Sequence, residues 1–205
     1  MFDSSNPYLE EFKALDATNG CDLERNIKLF QERDRLVVKY AWAIPNDEAI
    51  KTLVEHSPIV EIGCGTGYWA ALVNQNSGKV SVYDKYVDKK GRVRSQSTNR
   101  YVKPFTDVIK GSHEAVELHS DSTLFLCWPP YHNSMAYDCL STYLKHGGKT
   151  FIYVGEGSGG CTGCDKFHKL LNERMESVRC ISIPRWNGMN DYMEIFVSKD
   201  AFPQS

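Results

Sequence analysis

The chain has 205 residues, 41% of them hydrophobic, and its 24 Lys and Arg against 26 Asp and Glu give a formal net charge of −2. A chain of this length buries roughly 70% of the surface that its unfolded form exposes, which is enough for one substantial core. These values exclude a disulfide mini-protein and a fully disordered chain. They also exclude a protein that is basic throughout, so any surface that binds polyanions must be local.

The sequence predicts an intracellular protein without a membrane segment. It has no stretch of about 18 apolar residues, and its first five residues lack the basic and apolar regions of a secretory signal. Its seven cysteines are an odd number spread along the chain, which is typical of reduced thiols. We expect a cytoplasmic location, with the nucleus as the alternative.

In the N-terminal part, residues 1–39, the sequence pattern predicts helices that cover the rest of the chain. Its apolar residues recur at near-helical spacing and continue into residue 40. They are Leu23, Ile27, Phe30, Val37 and Tyr40. Asn46 is a good N-cap for a short helix from Asp47 to about Glu55.

From Ile59 onward, short apolar runs alternate with helical stretches, which predicts a mostly parallel sheet with right-handed crossovers. Strands are predicted at 59–62, 79–83, 123–127, 150–154, 178–183 and 192–197, with a weak one near 105–109. Helices are predicted at 68–76, 135–146 and 165–176. Only a loop joins the last two strands, so we expect them to pair antiparallel.

A basic segment, residues 89–103, interrupts this regular alternation. It has little apolar periodicity, so we predict an exposed loop or insertion. Its basic residues are Lys89, Lys90, Arg92, Arg94, Arg100 and Lys103. Contact with the phosphates of RNA or with an anionic small substrate is the alternative.

A glycine-rich turn lies between the first predicted strand of the sheet and the helix that follows it. Gly63, Gly65 and Gly67 allow tight backbone angles and a close approach of a ligand to the main chain. Glu61 precedes them, and Asp84 ends the next strand, where a carboxylate can accept both hydroxyl protons of a ribose. The pattern predicts a nucleoside-binding site at the carboxyl ends of adjacent strands.

This pattern resembles the cofactor site of class I S-adenosylmethionine-dependent methyltransferases. The resemblance implies a Rossmann-like, doubly wound α/β fold, in which a mostly parallel seven-stranded sheet has an antiparallel last strand, and a methyltransferase domain over residues 40–205. It implies that S-adenosylmethionine is held by Glu61, Gly63, Cys64, Gly65, Gly67, Tyr68 and Asp84. A dinucleotide-binding fold is the nearest alternative, but its motif spaces the third glycine as Gly-x-Gly-x-x-Gly.

A second motif, Trp128-Pro129-Pro130-Tyr131, stands at the carboxyl end of a predicted strand. It is similar to the Asp/Asn/Ser-Pro-Pro-aromatic motif of methyltransferases that act on amino nitrogens of nucleobases and other planar substrates. The resemblance implies a catalytic or substrate-orienting role for these four residues. Trp128 departs from the motif because an indole offers one N–H donor and no acceptor, and it predicts an aromatic wall for a flat ring or a cation instead.

A second glycine-rich loop follows the strand at 150–154, and Glu156 is its most chemically able member, a candidate base or orienting group. Cys161, Cys164 and His168 supply three potential zinc ligands there, whereas a structural site needs four, so we predict no metal.

The acceptor of the methyl group stays open at this point. One hypothesis is a planar, amine-bearing substrate or a nucleobase, with RNA bound through residues 89–103. A second is a small molecule with a thiol, nitrogen or oxygen acceptor. A third is a cofactor-binding scaffold without catalysis, for which Trp128 is the main argument.

Overall fold

The computed structural model of the protein describes residues 5–17, 22–95 and 97–201. The helices are α1 (Pro7–Asp16), α2 (Asp22–Lys39), α3 (Asp47–Glu55), α4 (Tyr68–Gln75), α5 (Met135–Lys145) and α6 (Asp165–Arg174). The strands are β1 (Ile59–Ile62), β2 (Val80–Asp84), β3 (Val93–Arg94), β4 (Tyr101–Val102), β5 (Ile109–Lys110), β6 (Thr123–Cys127), β7 (Thr150–Gly155), β8 (Met175–Ser182) and β9 (Tyr192–Ser198). Short 3-10 segments lie at His113–His119 and Lys199–Ala201.

Seven of these strands form one sheet in the order β5-β2-β1-β6-β7-β9-β8. Strand β9 runs antiparallel to both neighbours, β7 and β8, and the other pairs are parallel. The predicted Rossmann-like α/β fold is confirmed. The strand order reverses between β1 and β6, and in such sheets ligands bind outside the carboxyl ends of the strands at this point.

Helices cover both faces of the sheet. One apolar layer joins α1, α2, α3 and α4 to the sheet and contains the fully buried Trp69. The other joins α5, α6 and the segment His113–His119, with Tyr143 and Phe167 at its centre. Burial of each such side chain contributes roughly 2–3 kcal/mol, so the two layers hold the strand ends in fixed positions.

The N-terminal helices are tied to the helix that follows the glycine-rich turn. The Asn6 side chain caps α1 by accepting the Leu9 N–H, accepts the Tyr68 hydroxyl at 2.8 Å and donates to the Pro45 carbonyl. Helix α2 forms as predicted, but its contact face is different. Leu29, Leu36, Val37 and Tyr40 are buried, whereas Leu23, Ile27 and Phe30 are exposed. At 3.6 residues per turn, the buried face of α2 is rotated by about a third of a turn from the face that carries the three exposed residues.

The region after Asp84 differs in detail from the predictions. The basic segment is not a plain exposed loop, because β3 and β4 pair as a hairpin in which Val93 is buried opposite Val102. The strand predicted near 105–109 is reduced to β5, which pairs with the end of β2.

No helix in the described part of the chain is long and apolar enough to cross a membrane. Six cysteines are described as free thiols, and Cys21 lies outside the described residues.

Candidate active site

The glycine-rich turn leads from β1 into α4 in a conformation that other residues adopt only at a cost. Gly63, Gly65 and Gly67 have φ values of +75°, +56° and +69°. This left-handed region costs an L-residue with a side chain roughly 1–2 kcal/mol. The N–H groups of Gly63 and Cys64 both donate to the Tyr83 carbonyl, at 2.8 and 3.2 Å, so the turn is fastened over the end of β2.

Glu61, the acid before the glycines, is 2% exposed in β1, and its Oε2 atom has no hydrogen-bond partner among the described residues. Burial, and to a smaller extent the nearby Asp84 carboxylate, together raise the pKa of Glu61 to about 8. Buried polar atoms are rarely left without a partner. This carboxyl group is therefore suited to receiving a cationic N–H donor.

Asp84 ends β2 beside the glycine turn and is 6% exposed. Its Oδ2 accepts the Gly65 N–H at 3.1 Å, and its Oδ1 accepts the Tyr86 N–H at 2.8 Å. Burial raises its pKa, while these two hydrogen bonds and the Arg94 guanidinium act in the opposite direction. A carboxylate has about four acceptor positions, so both oxygens retain capacity for ligand hydroxyls.

Glu61 and Asp84 line one continuous cleft across the carboxyl ends of β2, β1 and β6. Its first part is also lined by Gly63, Cys64, Gly65, Tyr40, Trp42, Cys127 and Trp128. An adjoining part is lined by Lys85, Tyr86, Ser112, His113, Pro129 and Pro130, and it shares Gly63, Asp84 and Trp128 with the first.

Two of the predicted cofactor residues do not line this cleft. Tyr68 is 3% exposed under the N-terminal helix, where its hydroxyl donates to Asn6 and accepts the Tyr8 N–H at 3.1 Å. A Cβ atom at Gly67 would meet the Thr106 side chain at 3.1 Å, so Gly67 allows close packing. Both residues support the turn rather than face the cleft.

The β3–β4 hairpin forms a wall of the cleft that the sequence did not predict. Val93, Arg94, Ser95, Ser97 and Val102 line it. The Arg94 guanidinium lies 3.9 Å from the Tyr86 ring centroid, and its buried Nε has no hydrogen-bond partner in the described structure. The hairpin therefore brings a cationic group close to Asp84.

Trp128 forms the opposite wall with Trp42, which the sequence did not single out. Trp128 has a left-handed φ of +52°, and its indole stacks on that of Trp42 with centroids 5.0 Å apart and planes 9° apart. The Arg33 guanidinium lies 5.4 Å from the Trp42 ring centroid. The predicted aromatic wall is thus a stacked pair beneath an arginine.

Pro129 and Pro130 line the adjoining part of the cleft, but their backbone also contacts the second glycine-rich loop, and Tyr131 lies elsewhere. The Pro129 carbonyl accepts the Gly163 N–H at 3.0 Å, and Pro130 forms an antiparallel bridge with Thr162. Tyr131 is 49% exposed, contacts the His132 ring and lines a separate shallow pocket.

Glu156 lines the same shallow pocket as Tyr131 and is 6% exposed. Its Oε2 accepts the Cys161 N–H and its Oε1 accepts the Asn190 N–H, both at 2.7 Å. Burial raises its pKa, but the hydrogen bonds outweigh it and hold the pKa below its ordinary value. The carboxylate joins two loops, an arrangement that leaves it poorly placed to act as a free base.

Asp191 is a buried carboxylate that no sequence motif marks. It lies directly before β9, is 2% exposed, and its Oδ1 lacks a hydrogen-bond partner in the described part of the chain. Its pKa is raised to about 6, because burial, together with the Glu156 carboxylate, outweighs the lowering by the Trp128 indole N–H and by the Arg33 and Arg185 guanidinium groups. Asp191 and Trp128 are 63 residues apart in sequence, which explains why a linear motif missed the pair.

His168, one of the three potential zinc ligands with Cys161 and Cys164, makes a contact with the protein backbone. His168 Nε2 lies 2.8 Å from the Thr162 carbonyl oxygen. Within residues 5–17, 22–95 and 97–201, no group of three or more His, Cys, Asp or Glu side chains could hold a metal ion.

Among known proteins, the chain matches solved structures. No family model matches the chain, and no curated protein matches it. A magnesium protoporphyrin IX methyltransferase from Synechocystis PCC 6803 with bound SAH aligns over 95% of each chain, with 10% identity and a TM-score of 0.47. A mutant of MtNAS in complex with S-adenosylmethionine aligns over 93% of this chain and 71% of its own, with 11% identity and a TM-score of 0.49. Similarities at this level do not identify a function, so the functional argument depends on the residues described above.

Proposed function

We propose that the chain is an S-adenosylmethionine-dependent methyltransferase. The observation that carries the proposal is the buried Glu61 carboxyl group, which has an unpaired oxygen at the floor of the cleft beside the glycine turn and Asp84. An amino-acid ammonium and a ribose are the complementary groups for these two acids. Both carboxyl groups line one cleft, so they suit the two ends of one ligand.

The chain's residues fit the cofactor as follows. Glu61 would bind its ammonium and Asp84 its ribose hydroxyls, while Gly63 and Gly65 permit a close approach of the main chain. The Trp42–Trp128 pair offers aromatic surface that suits a cation. When bound, the sulfonium supplies an activated methyl group. The protein's part is then to orient the acceptor and exclude water.

For the acceptor, we favour a small molecule with a flat or cationic group over a nucleobase in RNA. Trp128 lacks an acceptor atom, and the Gly163 N–H takes one of the two acceptor positions of the Pro129 carbonyl, which would orient an amine. One observation supports RNA. In the basic hairpin, the Arg92 guanidinium lies 5.8 Å from the centroid of the exposed Tyr101 ring. Transfer of labelled methyl into a metabolite extract supports the first acceptor, and transfer into total RNA supports the second.

Calorimetric titration with S-adenosylmethionine and S-adenosylhomocysteine tests the proposal. We expect the wild-type protein to bind both and Asp84→Ala to lose most of its affinity, because the ribose acceptor is removed. Glu176→Gln is the matched control, since it alters an exposed carboxylate on the edge strand β8. Absence of binding by the wild-type protein, or equal binding by Asp84→Ala, contradicts the proposal. Binding without transfer to either acceptor pool would support a scaffold that lacks catalysis.

A further inference from the structure

Two buried polar atoms near the carboxyl end of β7 are left without a hydrogen bond in the described part of the chain. They are the indole Nε1 of Trp128, a donor, and Oδ1 of Asp191, an acceptor, and neither has a partner among the described residues. Both residues flank the carboxyl end of β7, since the Trp128 N–H donates to the Val154 carbonyl and Tyr192, next to Asp191, pairs with Gly155. The indole N–H also acts to lower the pKa of Asp191. A buried donor and acceptor left open beside each other need an explanation, because leaving such a group unpaired costs about 1–3 kcal/mol.

The conformation of Trp128 shows how strongly this indole is held in place. Its backbone is left-handed, a conformation that costs a residue with a side chain roughly 1–2 kcal/mol. The Trp128 N–H donates to the Val154 carbonyl at 2.8 Å, and the ring stacks on Trp42. The strained turn directs the indole into the wall shared by both parts of the cleft.

The position of Asp191 is fixed as firmly from the other side. The preceding residue, Asn190, donates its N–H to Glu156 at 2.7 Å, and the following residue, Tyr192, opens β9. The loop that carries Asp191 is thereby tied to the carboxyl end of β7. This arrangement places a carboxylate at the same end of β7 as Trp128, which itself has no acceptor atom.

We propose that Asp191 is a positioning residue whose carboxylate takes the Trp128 indole N–H and sets the plane of the ring in the wall of the cleft. The acid comes from the loop before β9, and it orients the wall instead of the acceptor itself. The contact stands independently of the cofactor, whereas its consequence for orienting a methyl acceptor rests on the proposed function.

The charge state of Asp191 makes the contact observable. Burial holds its pKa at about 6, so the carboxylate becomes a full negative acceptor above that pH and its bond to the indole strengthens. The other titratable or charged groups that act with it come from α1, α2, β6, β7 and the loops after β7 and β8. They are Tyr8, Arg33, Cys127, Tyr153, Glu156, Cys161 and Arg185.

Indole N–H resonances of the nitrogen-15-labelled protein, followed from about pH 5 to 8, test the contact. The Trp128 signal is identified by its loss in Trp128→Phe. We expect it to shift with a midpoint near 6 and to stop shifting in Asp191→Asn. The Trp69 indole is an internal control that should not titrate, because it donates to the Ala43 carbonyl.

A second variant keeps the test decisive if Asp191→Asn does not fold. Arg185 is exposed and lowers the pKa of Asp191, so Arg185→Gln should raise the midpoint of the Trp128 signal. The proposal is overturned by a Trp128 signal that does not titrate in the wild type, by one that still titrates in folded Asp191→Asn, or by an unchanged midpoint in Arg185→Gln. S-adenosylhomocysteine that shifts no indole signal, while Trp128 still titrates, counts against the proposed function and leaves this contact standing.

Discussion

The two sides of the cleft are built in different ways. On the proposed cofactor side, the acids and glycines lie within residues 61–84, a single strand-turn-helix-strand unit. On the proposed acceptor side, Trp42 after α2 and Trp128 after β6 form the wall. Arg33 on α2 lies over the Trp42 ring, and Asp191 before β9 acts on Trp128 from outside the cleft. The comparison shows that a local backbone requirement leaves a motif in the sequence, whereas contacts between distant side chains do not.

The largest expected effect tests whether the cofactor side depends on the backbone of the turn. Gly63→Val introduces a branched side chain at φ +75° in a residue that lines both parts of the cleft, where a Cβ atom would meet the Met135 Cε at 2.5 Å. We expect affinity for S-adenosylhomocysteine to fall by about 100-fold or more, equivalent to ~3 kcal/mol. Gly147→Val is the control, since it has a similar φ of +84° and open space around it. Equal affinities in the two variants would contradict this dependence.

A smaller effect tests the buried acid of the cofactor side. Because the pKa of Glu61 rises from its ordinary 4.5 to about 8, its ionisation opposes folding, and stability falls as pH rises between these values. Glu61→Gln should therefore increase the free energy of unfolding by roughly 2–3 kcal/mol near pH 7.5 and have little effect near pH 4.5. Urea unfolding at the two pH values measures the difference. The same gain at both pH values would show that Glu61 is not held in its protonated form.

The smallest effect tests the hydrogen bonds by which Glu156 connects two loops on the proposed acceptor side. Glu156→Gln leaves one acceptor oxygen for the two N–H groups of Cys161 and Asn190. One buried N–H then loses its partner, and we expect a loss of about 1–2 kcal/mol in the free energy of unfolding. The exposed Glu176→Gln serves as the control in the same urea experiment. If both variants match the wild type, Glu156 does not join the loops energetically.

The sequence predicted the fold well because the alternation of apolar runs and helices requires only local information. The strands at 59–62 and 123–127 have the predicted bounds, and the antiparallel pairing of β8 and β9 follows from their short loop. The glycine turn was predictable for the same reason, since its left-handed angles require glycine at Gly63, Gly65 and Gly67.

The acceptor side could not be predicted in the same way. The sequence shows a glutamate at 156, but it does not show whether the carboxylate is free to accept a proton or is bound by two N–H groups. The basic hairpin misled the prediction because its strands are two residues each, too short for periodicity, and the burial of Val93 depends on the cleft beneath it. Asp191 becomes noticeable only when the fold brings it to Trp128.

The number of protons released when S-adenosylhomocysteine binds is the most direct test of the central claim that Glu61 receives the ligand's cation. With a pKa of about 8, the free carboxyl group is mostly protonated at pH 7, and a bound ammonium lowers its pKa. Calorimetry in two buffers of different ionisation enthalpy should give a release close to one proton in the wild type and almost none in Glu61→Gln. Binding without proton release, or the same release in both proteins, would contradict the account.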